Sequence, residues 1–138
     1  MERPVILVDT SVWIEYLRDT DDPVVTELSS LIDSGADLRM TEPIAIELLA
    51  GADNPRRDAL ISQLTNSFPT LPVEPLVDYR AAAQIFASVR RIGHPLRSLN
   101  DCLIAAIAVR TSTILFERDR DFQFISKVTP LALHRNST

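Results

Sequence analysis

The chain has 138 residues, a length that suits one domain over 1–138 and suffices to bury a real core. Apolar residues make up 46% of it, which excludes a disordered or fibrous protein, and a single cysteine, Cys102, excludes an internal disulfide framework. The net charge of −5 argues against a polyanionic partner, but setting aside the four acids discussed below leaves 15 acidic against 14 basic residues.

The longest uninterrupted apolar run, residues 102 to 109, falls far short of the roughly 20 needed to span a bilayer. Met1-Glu2-Arg3-Pro4 lacks the basic start and cleavage site of a signal peptide. With the lone thiol, this gives a cytoplasmic expectation and no membrane partner. Thirteen of the bases are Arg and one is Lys127. Arginine matches phosphate geometry bidentately; a GC-rich genome produces the same skew.

Residues 5 to 9 read as an apolar strand. Residues 10 to 18 read as a helix with Val12, Trp13, Tyr16 and Leu17 on one face. Asp22-Pro23 opens a second helix that turns Val24, Leu28, Leu31 and Ile32 inward and ends at Gly35. Leu38-Arg39-Met40 is a short strand, and Pro43 suits the first turn of a helix running to Gly51. Residues 56 to 66 group Leu60, Ile61 and Leu64. Pro69, Pro72 and Pro75 restrict any strand over 69 to 75 to a short or edge position. A long helix over 76 to 92 stops at Gly93. The helix over 98 to 112 is apolar almost all round and therefore buried. A strand at 113 to 117, a helix at 119 to 127 and a strand at 130 to 133 complete the chain. This alternation points to an α/β domain with a mostly parallel sheet. Ligands of such sheets bind beyond the carboxyl ends of the strands.

Four acids stand against apolar stretches: Asp9, Glu47, Asp101 and Asp119. Carboxylates are seldom buried unless paired or bound to a metal. Asp9 suits a helix cap, but Thr10 or Ser11 would cap as well. Glu47 has Pro43, Ile44, Ala50 and Gly51 as helical neighbours and no base to pair with. Asp101 has capping-box spacing from Ser98, a role compatible with metal ligation. In the Glu117-Arg118-Asp119-Arg120-Asp121 run, one Asp is accounted for by a self-paired turn.

Other chemistries fit less well. His94 lies in a Gly-His-Pro turn and His134 in the polar tail, with neither expected near a catalytic group. Cys102 reads as core. Zinc-spaced Cys and His are absent, and three glycines make no phosphate loop. An oxygen-only donor set selects Mg²⁺ or Mn²⁺, one or two ions to a site.

Four segments carry a family resemblance. They are Val5-Ile6-Leu7-Val8-Asp9-Thr10-Ser11-Val12-Trp13-Ile14, Glu47-Leu48-Leu49-Ala50-Gly51, Asn100-Asp101-Cys102-Leu103-Ile104-Ala105-Ala106 and Arg118-Asp119-Arg120-Asp121-Phe122. In this order they resemble the PIN-domain ribonucleases, and most of all the VapC toxins of bacterial toxin–antitoxin pairs. The resemblance implies a three-layer α/β/α domain around a mostly parallel sheet of about five strands. It implies a metal-dependent endoribonuclease that inhibits translation, RNA as substrate, a homodimer, and a VapB-type antitoxin that blocks the site. Glu117 departs from the family, which often has Thr or Ser there.

On that reading Asp9 and Asp101 are the central ligands. Asp119 adds to one ion, Glu47 acts through water or orients the nucleophile, and Asp121 supports. Arg56, Arg57, Arg90, Arg91, Arg97, Arg118 and Arg120 are candidates to hold RNA, with Arg97, Arg118 and Arg120 nearest the motifs. The rivals are a receiver-type phosphoacceptor, which wants a lysine near Asp9; a haloacid-dehalogenase-like phosphatase, which wants an Asp where Ser11 stands; and a PIN fold that binds without catalysis.

Overall fold

The computed structural model describes residues 3–135; residues 1, 2 and 136–138, the ends of the expected unit, lie outside the described residues. Strand β1 (Val5–Val8) leads into α1 (Thr10–Arg18) and α2 (Pro23–Asp33), then β2 (Asp37–Arg39). Helices α3 (Glu42–Ala50), α4 (Pro55–Thr65), α5 (Pro75–Arg91) and α6 (Leu99–Arg110) follow, then β3 (Ile114–Phe116) and α7 (Asp121–Ile125).

The sheet is parallel, in the order β2-β1-β3, with β1 at its centre. Val5 pairs with Asp37 on one side, and Val8 with Phe116 on the other. The expected count of about five strands becomes three regular strands among the described residues. The two further segments each make a single parallel bridge, Met40 to Thr70 and Leu115 to Leu133. Pro69 and Pro72 remove ladder donors beside β2, so pairing there is reduced to Met40 N–H to Pro69 O at 2.9 Å and Leu71 N–H to Met40 O at 2.7 Å. Beside β3 the bonds are Leu115 N–H to Ala132 O and His134 N–H to Leu115 O.

Local chemistry sets the helix ends. Asp22 accepts from Val24 N–H with Pro23 at the first helical position. Ser98 accepts from Asp101 N–H at 3.2 Å. Gly93, at φ +91°, turns the chain out of α5 in a conformation that favours glycine. The expected all-round burial of α6 holds, since every residue from Cys102 to Ala108 is buried. The expected inward faces of α1, α2 and α4 are narrower than the sequence suggested. Leu17 is 37% exposed, Ile32 36% and Leu60 56%, because α1 and α4 leave a groove between them and Ile32 lies in the last turn of α2.

One buried acid is fully neutralised. The Asp78 side chain, 1% exposed, receives Arg110 Nε at 2.8 Å and Nη2 at 2.9 Å, and Arg110 also donates to Pro72 O. Burial alone would raise the Asp78 pKa; the bonds from Arg110 and from Glu74 N–H outweigh it and hold the carboxyl below its usual range. Removing one partner of such a pair leaves an uncompensated charge. Arg110→Ala is therefore expected to destabilise the fold by roughly 3 kcal/mol in urea unfolding at pH 7, and a loss below about 1 kcal/mol would contradict the pair's role.

Candidate active site

Asp9 stands one residue past β1 and caps α1. Its N–H bonds Phe116 O at 2.8 Å, which ties the ends of β1 and β3 together. Its Oδ2 accepts from Ser11 N–H at 3.0 Å and from Ser11 Oγ at 2.6 Å. Its Oδ1 is buried and has no hydrogen-bond partner. Burial, with the charge of Glu47 adding, raises its pKa to about 6 despite the bonds from Ser11.

Glu47 projects from α3, where Thr10 Oγ1 donates to its Oε1 at 3.0 Å. Asp101 lies in the first turn of α6. Burial and then the charges of Asp9, Asp119, Glu47 and Asp121 raise its pKa to about 7, with no hydrogen bond offsetting them. The Asp119 Oδ1 accepts from Asp121 N–H at 3.0 Å and from Arg97 Nη2 at 3.3 Å. One carboxylate oxygen each of Asp101, Asp119 and Asp121 lies within 4.8 Å of the others. Glu117, at the end of β3, joins this group. Burial and the charges of Asp9 and Asp119 raise its pKa to about 7.

Three contributors escaped sequence reasoning. Thr10 and Ser11 were weighed only as caps; here they orient Glu47 and Asp9, and Ser11 Oγ also accepts Arg118 N–H at 3.1 Å. The Asp-Thr-Ser order was the available signal, because hydroxyls beside a buried carboxylate are natural donors to it. His94 corrects an expectation: it reaches Asp121 Oδ1 from Nε2 at 3.0 Å. Nothing in the Gly-His-Pro turn announced this, since 27 residues separate the two. His134 lies elsewhere, against Phe116 and 3.3 Å from Glu27.

The arginines divide. Arg97 bridges Asp119 and Asp121. Arg118 is engaged with Asp22 and Glu15. Arg120 is exposed, with no ion pair among the described residues. These three, with Ser11 and Asp119, line a cleft of about 300 Å³. Of the others, Arg57 pairs with Asp53 and Arg90 lies over Phe86.

The donors fit a hard divalent cation. All are oxygens, the most buried has an unpartnered atom, and Asp101 is repelled by the surrounding acids with no base paired to it among the described residues. Asp101, Asp119 and Asp121 bring oxygens close enough to share such an ion, while Asp9 and Glu47 couple to Asp101 through charge and Glu117 couples to Asp119.

The model for the PIN domain matches residues 6–128. Ribonuclease VapC11 of Mycobacterium tuberculosis is 42% identical over 128 residues, covering 92% of this chain and 96% of that protein. The VapBC2 complex of Rickettsia felis bound to a promoter DNA fragment superposes with a TM-score of 0.73 at 15% identity, covering 94% of this chain and 97% of the other. VapBC-5 of Mycobacterium tuberculosis, a member of the VapBC family of toxin–antitoxin systems, gives 0.66 at 23% identity over 96% and 100%. These two structures speak for the fold alone, and the 42% relative for kinship in sequence. The chain belongs to the PIN-domain family, in its VapC branch.

Proposed function

We propose that this protein is an endoribonuclease that hydrolyses RNA phosphodiester bonds with Mg²⁺ or Mn²⁺. We further propose that it is the toxin of a toxin–antitoxin pair, acting in the cytoplasm to stop translation. The observation that carries the activity is the unpartnered, buried Oδ1 of Asp9, whose neighbours Asp101 and Glu117 likewise have no basic side chain paired with them among the described residues. The relative named a ribonuclease adds support.

Asp9, Asp101 and Asp119 would hold one or two ions. A bound divalent ion lowers the pKa of its water and polarises the phosphoryl group. Ser11 keeps Asp9 Oδ2 occupied and leaves the buried Oδ1 without a partner. Thr10 fixes Glu47 through Oε1, which leaves Oε2 to orient the attacking water and accept its proton. Arg120, with Arg97 and Arg118 along the same cleft, draws the phosphate backbone toward Asp119. The products are a 5′-phosphate and a 3′-hydroxyl.

The partner proposed is a VapB-type antitoxin, with the toxin itself a homodimer. A groove of about 490 Å³, lined by Ile14, Leu17, Leu48, Leu60 and Ile61 with Arg18, Glu47 and Arg57 among them, offers such a partner a surface. The receiver-type alternative wants a lysine against Asp9, and the Lys127 ammonium sits over the Phe124 ring instead, 4.8 Å from its centroid. The binding-only alternative leaves the repelling acids without a purpose.

Purified protein is expected to cleave RNA with Mg²⁺ or Mn²⁺ and to stop in EDTA, with Asp9→Ala and Asp101→Ala each slowing cleavage on the order of 100-fold or more. Cleavage that persists in EDTA or survives both substitutions overturns the metal scheme.

Repulsion also predicts a stability signature. Asp101 titrates at about 7 when folded against 3.8 as a free side chain, so the folded state holds the extra proton between those values. Stability from this group is full below about pH 4, falls as pH rises, and is lost above about 7. In EDTA, Asp101→Asn should raise Tm at pH 8 by roughly 3 °C or more and leave it nearly unchanged at pH 4. An equal shift at both values refutes the assignment.

A further inference from the structure

Asp119 and Asp121 both bring an oxygen to the cluster, yet their settings differ. The Asp119 side chain is 27% exposed and faces the cleft it lines. The Asp121 side chain is 4% exposed, and both of its oxygens are engaged. Oδ1 meets His94 Nε2 at 3.0 Å and Oδ2 meets Arg97 Nε at 3.4 Å. Its backbone N–H donates to Asp119 Oδ1 at 3.0 Å. A carboxylate only accepts, so His94 carries its proton on Nε2. The ring of His94 lies flat on Phe124, 3.6 Å between centroids and 6° from parallel, which fixes its plane. Gly93 places it, since the positive φ there lets His94 N–H return to Val89 O.

From this geometry we infer that Asp121 does not hold the ion but positions Asp119, and that His94, stacked on Phe124, is the residue that holds Asp121 in place. The chain of contacts runs from Phe124 through His94 and the Asp121 carboxylate to the Asp121 N–H on Asp119. The hydrogen bonding agrees. Both Asp121 oxygens accept from side chains, His94 and Arg97, whereas the Asp101 carboxylate accepts from none among the described residues. The cavity-facing acid and the acid behind it thus stand as ligand and support, an arrangement common around metal sites.

This inference rests on the metal-dependent reading, and Mn²⁺ binding separates the two. Affinity is measured by electron paramagnetic resonance titration of the full chain with Mn²⁺ alone. Wild type, Asp119→Asn, Asp121→Asn, His94→Leu, His94→Gln and the double variant His94→Leu/Asp121→Asn are compared. Asp119→Asn is expected to lose measurable binding. Asp121→Asn and His94→Leu should each weaken it by roughly 10-fold, and the double variant should be no weaker than the weaker single, because both act through one contact. His94→Gln, whose amide nitrogen reaches where Nε2 lies, should recover most of the affinity. A wild-type chain that binds no Mn²⁺ overturns the metal reading and this inference with it. A wild type that binds, with Asp121→Asn losing the ion as completely as Asp119→Asn, overturns this inference alone. Additive losses in the double variant do the same. Asp121→Asn is nearly isosteric, so it decides the matter even where His94→Leu loosens the loop.

Discussion

Carboxylates repel one another, and removal from water sharpens the repulsion. Even so, this fold carries Asp9, Asp101, Asp119 and Glu117 to one edge of its sheet, where burial raises the pKa of three of them. The hydrophobic core imposes the gathering. Phe116 and Val8 must pair for β3 to join β1, and α6 must lie buried along its length. Once those apolar surfaces meet, the acids at their ends have nowhere else to go. The site is thus a by-product of packing, and the proposed cation would relieve its repulsion.

Asp78 shows the other solution to the same problem. It is as deeply buried as Asp9, but Arg110 meets both of its oxygens and it titrates low. Asp9 has two donors, both from Ser11 and both on one oxygen. The difference marks structure against function: one acid has a permanent partner, and the other is left able to take a temporary one. Arg97 shows an intermediate case, an exposed side chain that lends charge to Asp119 and Asp121 without leaving the solvent.

The sequence made the frame legible because periodicity and punctuation agreed. Helix α1 runs over the residues its apolar spacing indicated, and α6 is buried as its all-round apolarity required. The prolines over 69 to 75 restrict that segment to a single bridge, as expected, while the strand expected at 130 to 133 is reduced to one bridge and the count of about five falls to three regular strands among the described residues. Ile32, expected inward, and Leu17 and Leu60, expected on the apolar faces of α1 and α4, are exposed because hydrophobic spacing does not say where neighbouring helices end. At the site, the acids stood out against apolar runs, while His94 did not. Its contact with Asp121 depends on how the turn after Gly93 packs on α7, and no local pattern encodes that.

The position of β1 has one more consequence. Strand β1 lies at the centre of the sheet, and the N–H of Asp9 just past it closes on Phe116 O, more than a hundred residues further along the chain. During synthesis Asp9 therefore waits for residues 116 to 121. The pocket cannot assemble on a nascent chain before those residues have left the ribosome, so a product cut short ahead of Phe116 carries no assembled centre.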